Sequence, residues 1–315
     1  MSGSLMKKIA ISIMILFCFV AMLFSPKTVF IGAREGLLLW FQILLPTLFP
    51  FLIITNLLLY TDSIFLISNI AGPILHGVFK VSKNGSFAVI TGFLCGYPIG
   101  AKVTANLVEN GQISKEEGCY LLSFCNNTSP VFILNYLVWK TLKQDDLMLP
   151  SLIILILSPI LISMITRRWY IRKKQWIVTD PTYHLAKKKL NFGILDECIM
   201  NSFETITQVG GYIILFSVLL ALFQKIAFEF PMIEYILPIF EVTNGILLLG
   251  EMDIPIIIQY PLLLALTSFG GLCSIAQTQC MVQKAQLPII PYVIEKLATA
   301  LAASLLAVIY LFYIH

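Results

Sequence analysis

The chain has 315 residues, of which 58% are hydrophobic and 12% charged, with a formal net charge of +4 and a mean hydropathy of +0.88. A soluble domain carries roughly 25% charged residues. About half that share leaves too little polar surface to coat a water-soluble globule, which excludes a soluble enzyme and makes lipid the main solvent.

The first apolar stretch, 9–24, follows Lys7 and Lys8 and resembles a signal peptide, but Phe24, Ser25, Pro26 and Lys27 form no small-residue cleavage site. A retained first span is therefore expected. Further stretches long enough to span run over 36–60, 87–108, 120–139 and 147–166, then 210–228, 233–249, 254–269 and 290–314, with a small and polar stretch at 270–286 between the last two. The expected fold is all-α: a polytopic helical membrane bundle of about nine or ten spans. The segment 62–80, with Gly72, Pro73, His76 and Gly77, suits an interfacial or re-entrant element better than a lipid-facing span.

Most of the positive excess falls between the two groups of spans, at Arg167, Arg168, Arg172, Lys173, Lys174, Lys187, Lys188 and Lys189. Basic residues between apolar segments predict a cytoplasmic loop by the positive-inside rule, not a nucleic-acid site. A patch for lipid headgroups is the alternative. Around this loop the halves align under one constant shift, with Ile90, Thr91, Gly92 and Phe93 opposite Leu266, Thr267, Ser268 and Phe269. Carriers are often built from two such repeats with the binding site at their junction. The expected division is an N-terminal span over 1–28, a first repeat over 29–166, a basic loop over 167–190 and a second repeat over 191–315.

Three polar constellations interrupt the apolar runs. Gly92, Gly96 and Gly100 fall four apart, which on a continuous helix lines one face and admits a close neighbour. The other reading takes Pro98, which lacks an N–H, as a break. Gly96 and Tyr97 then turn, and a half-helix starts at Pro98, aiming free N–H groups at an anion with Lys102 one turn further on. Lys102 is alternatively an interfacial lysine that snorkels. The second constellation is Cys125, Asn126, Asn127, Thr128, Ser129 and Pro130, whose consecutive polar side chains need partners or a water-filled cavity. Thr128 or Ser129 can cap a helix beginning at Pro130. The third runs from Ser268 to Gln279: Gly270 and Gly271 can unwind a helix, while Ser274, Gln277 and Thr278 supply neutral donors and acceptors.

The remaining polar residues form no recognisable chemistry. Glu241 with Asn244, and Glu295 with Lys296, read as boundary residues. The seven cysteines have no zinc spacing, and His76, His184 and His315 share no motif, so neither a metal nor a cofactor is expected. There is no Ser/His/Asp order, no Walker loop and no carboxylate pair at catalytic spacing, and the chain is read as a non-enzyme.

The run Gly96, Tyr97, Pro98, Ile99, Gly100, Ala101, Lys102, followed by Cys125 to Pro130, resembles the YlbJ-like (SpoVV) sporulation integral membrane proteins, part of the wider set with the nucleoside-recognition Gate domain. The resemblance implies a multi-pass protein of endospore-forming Firmicutes, in the cell membrane or outer forespore membrane. It implies transport of dipicolinic acid, a small aromatic dicarboxylate. The substrate-binding residues expected from these motifs are Gly96, Tyr97, Pro98, Gly100, Lys102, Asn126, Asn127, Thr128, Ser129, Ser274, Gln277 and Thr278. A nucleoside or nucleobase permease and a non-transporting sporulation scaffold are the alternatives. The expected partners are the small anion and the bilayer, with a homo-oligomer or other sporulation membrane proteins left open.

Overall fold

The computed structural model describes residues 3–61, 64–173, 191–227 and 235–314. Among these there is no strand, and the architecture is an all-α bundle. Five helical stretches are long and apolar enough to cross a membrane: Pro26–Tyr60, Asp145–Tyr170, Phe192–Lys225, Ile256–Val282 and Ile289–Tyr313. The protein is a multi-pass helical membrane protein. Other apolar stretches of the sequence fold as shorter helices, because glycines, prolines and polar runs cut them.

Helix α1 (Gly3–Phe24) touches α2 (Pro26–Leu39) and leaves its apolar side chains largely exposed, as a lipid-facing helix does. A π-helical segment at Trp40–Leu44 joins α2 to α3 (Leu45–Tyr60), followed by α4 (Ile64–Phe79). The expected span 87–108 divides into α5 (Lys83–Cys95) and α6 (Ile99–Glu109), and the expected span 120–139 into α7 (Lys115–Cys125) and α8 (Pro130–Phe132), which continues as a π segment over Ile133–Leu142.

Helix α9 (Met148–Lys173) runs through the start of the basic stretch. Residues 167–173, expected as loop, are therefore helical: Arg167 and Arg168 extend the last turns of a long helix, and Arg167 donates to the Val78 carbonyl at 2.9 Å. The rest of the expected loop, 174–190, lies outside the described residues. The second half comprises α10 (Phe192–Ala227), α11 (Val242–Glu251), α12 (Ile256–Phe269), α13 (Gly271–Val282) and α14 (Ile289–Ile314).

The order α4, α5, break, α6, α7 recurs as α11, α12, break, α13, α14. The helix starts fall within four residues of one another under the shift that sets Thr91 opposite Thr267. Helix α6 packs on α13, and α2 runs against α10. The second contact is close because Gly32 and Gly36 face α10: a Cβ on Gly32 would lie 2.9 Å from the Ser217 carbonyl oxygen. Small residues at such faces let helix backbones approach where no hydrophobic force drives helices together in lipid.

Capping sets the short helices in place. Ser82 Oγ accepts from Gly85 N at 3.0 Å to start α5, and Ser114 Oγ accepts from Glu117 N at 3.1 Å to start α7. Glu117, 3% exposed, then accepts the Ser82 N–H at 2.6 Å and ties the two starts together. Around them Phe79, Phe87, Tyr120 and Phe124 form one apolar core, with the Phe79 and Phe124 rings stacked at 4.9 Å. A second core gathers Tyr136, Tyr260, Leu263 and Ala303 from α12, α14 and the π segment.

Candidate functional site

The three interruptions anticipated from the sequence meet in the interior. At the first, Gly96 takes φ 79° and the Tyr97–Pro98 peptide is cis. Tyr97 N donates to the Asn127 carbonyl at 2.7 Å, joining this break to the second. Gly92 and Gly100 both lie against the Cys125 carbonyl, where a Cβ on either would collide. The spacing of four thus serves a close approach as well as a break: α5 and α6 form a bent pair whose inner surface receives the 126–129 turn.

That turn is held from three sides. Asn126 is fully buried; its Oδ1 accepts from Ala101 N at 3.2 Å, and its amide donates to Thr278 Oγ1 at 2.8 Å and to Tyr292 OH at 2.9 Å. Asn127 donates to the Phe124 carbonyl and accepts from Lys296 Nζ at 2.9 Å. Thr128 donates to the Thr267 carbonyl at 2.7 Å, and Ser129 Oγ accepts from Phe132 N at 3.3 Å, capping the helix that begins at Pro130. The third break, at Gly270, closes the ring. There φ is 84°, followed by 77° at Gly271, so α12 ends and α13 begins through two left-handed residues.

Between these breaks lies a cavity of about 220 Å³. Of the expected site residues, Tyr97, Pro98, Thr128, Ser129, Ser274 and Gln277 line it. Gly96, Gly100, Asn126, Asn127 and Thr278 stand behind the wall, where they shape the breaks. Lys102 does not line the cavity and is only half-buried on α6. The first N–H groups of α6 are already engaged: Gly100 N with the Gly96 carbonyl, Ala101 N with Asn126 and Lys102 N with the Pro98 carbonyl.

Several lining residues were not among the expected site residues. Thr47 comes from α3, Asn135 and Tyr136 from the π segment, and Glu241 and Thr243 from the start of α11. Glu241 is 2% exposed and is no boundary residue: its two carboxylate oxygens cap α11, accepting from Thr243 N at 3.0 Å and Asn244 N at 2.8 Å. Glu295 and Lys296 are also interior, at 8% and 2% exposure. Lys296 Nζ donates to Asn127 Oδ1 and, at 3.3 Å, to the Ser268 carbonyl, while Glu295 accepts from Tyr170 OH at 2.9 Å. Among the described residues no group of His, Cys, Asp and Glu could hold a metal ion.

Chemically, the cavity offers aromatic walls from Tyr97, Phe132 and Tyr136, hydroxyls from Thr47, Thr128, Ser129, Thr243 and Ser274, and amides from Asn135 and Gln277. Rings and neutral donors of this kind suit a small planar solute with polar edges.

No protein-family model and no solved structure matches the chain. It is similar to the sporulation integral membrane protein YlbJ of Bacillus subtilis (strain 168): 26% identical over 337 aligned positions, covering 96% of this chain and 83% of that protein. The similarity therefore spans both halves and all three breaks, and the chain is similar to that sporulation integral membrane protein along nearly its whole length.

Proposed function

We propose that this protein is a membrane carrier for a small aromatic organic anion, dipicolinate, acting during endospore formation. The observation that supports a carrier is the convergence of three helix breaks on one cavity between two halves that share a run of four helices broken in the middle. Irregular backbone inside a membrane bundle is tolerated where protein or a water-filled cavity satisfies it, and carriers use such breaks as solute sites. The sporulation context comes from the relative, which is a sporulation integral membrane protein. The reading is of transport, not catalysis, with the solute held by hydroxyls, amides and tyrosine rings.

A second reading is favoured by one feature of the wall. Apart from Glu241, its polar groups are neutral, which also suits a nucleoside or nucleobase. Proteoliposomes containing the purified protein separate the two. Dipicolinate uptake that falls in Asn126→Ala, with no uptake of labelled uridine, supports the first reading. Uridine uptake alone selects the second. Flux of neither from folded protein removes the carrier and leaves a membrane scaffold.

A further inference from the structure

Lys296 lies in the second turn of α14 with 2% of its surface exposed. Its ammonium carries three donors. Two reach neutral acceptors, Asn127 Oδ1 and the Ser268 carbonyl oxygen, and the Tyr292 ring centroid lies 5.9 Å away. Among the described residues it forms no ion pair. The adjacent Glu295 points to Tyr170 on α9, and the Cys125 thiol of α7 and the Tyr292 phenol are further titratable neighbours.

Both acceptors, one a side-chain oxygen and one a carbonyl, belong to segments that run directly into the cavity wall: Asn127 precedes Thr128 and Ser129, and Ser268 lies two residues before Gly270. The wall carboxylate, by contrast, already has compensation, because Glu241 sits at the start of α11 and takes two of its N–H groups. Among the described residues, the cavity wall therefore holds one carboxylate, already satisfied by a helix start, and the lysine behind it has no ion-pair partner, the carboxylates of Glu117 and Glu295 being turned to Ser82 and Tyr170. Charge is expensive at membrane depth and generally has a use there. In a low-dielectric surround its field extends into the adjoining space.

We infer that Lys296 determines the charge selectivity of the cavity: from behind the wall, its ammonium supplies the positive potential that draws in and holds an anionic solute. The solute completes the ion pair that the fold leaves open. This deepens the carrier reading and rests on it for the solute's passage, though not for the potential itself.

The potential can be read without transport. In a Ser129→Cys background, a cavity-wall thiol is reacted with an anionic sulfonatoethyl methanethiosulfonate and with neutral methyl methanethiosulfonate. The label at position 129 is quantified by mass spectrometry of its peptide. Lys296→Gln should lower the ratio of anionic to neutral rate about tenfold, the effect of a unit charge roughly 10 Å away at an effective dielectric of about 20. Lys296→Arg should keep the ratio. Lys296→Met, an uncharged side chain of similar length, should lower the ratio as Lys296→Gln does, and decides the matter should Lys296→Gln fail to fold. An unchanged ratio in Lys296→Gln, or in Lys296→Met, overturns the inference. Absence of dipicolinate flux in the parent protein would sink the carrier reading while leaving the labelling result intact.

Discussion

The Asn126 amide donates to the Thr278 hydroxyl at 2.8 Å across 152 residues of chain. With the Ala101 N–H and the Tyr292 hydroxyl, it ties α6, the 126–129 turn, α13 and α14 into one knot. Asn126→Ala strands a buried backbone N–H, at about 1–3 kcal/mol. We expect a lower thermal unfolding midpoint in detergent together with a loss of uptake. A midpoint equal to wild type would mean the knot contributes nothing to holding the halves together.

Gly92→Ala and Gly100→Ala should each be severe. A Cβ at either position meets the Cys125 carbonyl, which is backbone and cannot swing aside. We expect losses of about 3 kcal/mol or more, at the upper end for overpacking. Gly211→Ala in α10 is the control: nothing lies within 4 Å of its Cβ, and a helical Gly→Ala change there should stabilise by about 0.5–1 kcal/mol. Equal unfolding midpoints for Gly100→Ala and Gly211→Ala would contradict the packing argument.

The two lysines associated with the breaks should behave differently. Lys102 lies off the cavity lining and makes no side-chain hydrogen bond among the described residues, whereas Lys296 links both halves. Uptake by Lys102→Ala should stay close to wild type, and Lys296→Ala should abolish it. The reverse order in a proteoliposome assay would return the cation's role to α6.

Glu117 is placed to hold α5 and α7 together at their starts. Glu117→Ala leaves the buried Ser82 N–H without its carboxylate acceptor, at a cost of roughly 2 kcal/mol for a bond to a charged group. Glu117→Gln keeps an acceptor oxygen and should recover part of the loss. Thermal unfolding of the two variants side by side measures the difference; identical midpoints would show that the carboxylate charge is irrelevant.

The breaks were legible in the sequence because their causes are local. Pro98 removes a donor, Ser129 precedes a proline that can begin a helix, and Gly270 with Gly271 can leave helical geometry without steric cost. The membrane bundle followed from hydropathy alone. Glu241, Glu295 and Lys296 were misjudged as boundary residues because depth is a tertiary property. A charge in the second turn of a 26-residue helix has the same local sequence whether that turn faces headgroups or neighbouring helices. Here α14 packs against α7 and α9, and Glu295 in that turn accepts from Tyr170 of α9. The unpaired acceptor in the Asn126–Asn127 run was the available hint, since a buried amide oxygen needs a donor from elsewhere in the chain. Thr47 and Asn135 carried no signal, because a lone polar residue in an apolar run does not disclose which face it occupies.

The joint at Gly270 and Gly271 has a consequence at the level of inheritance. Both residues hold positive φ, and a Cβ would lie 2.6 Å from Ser274 Oγ at the first and 3.0 Å from the Ile239 carbonyl oxygen at the second. Every missense change in a glycine codon adds a side chain. No amino-acid replacement at this joint is therefore neutral: only the third base of each codon is free to change, and drift in the apolar helices on either side must proceed around a fixed pair.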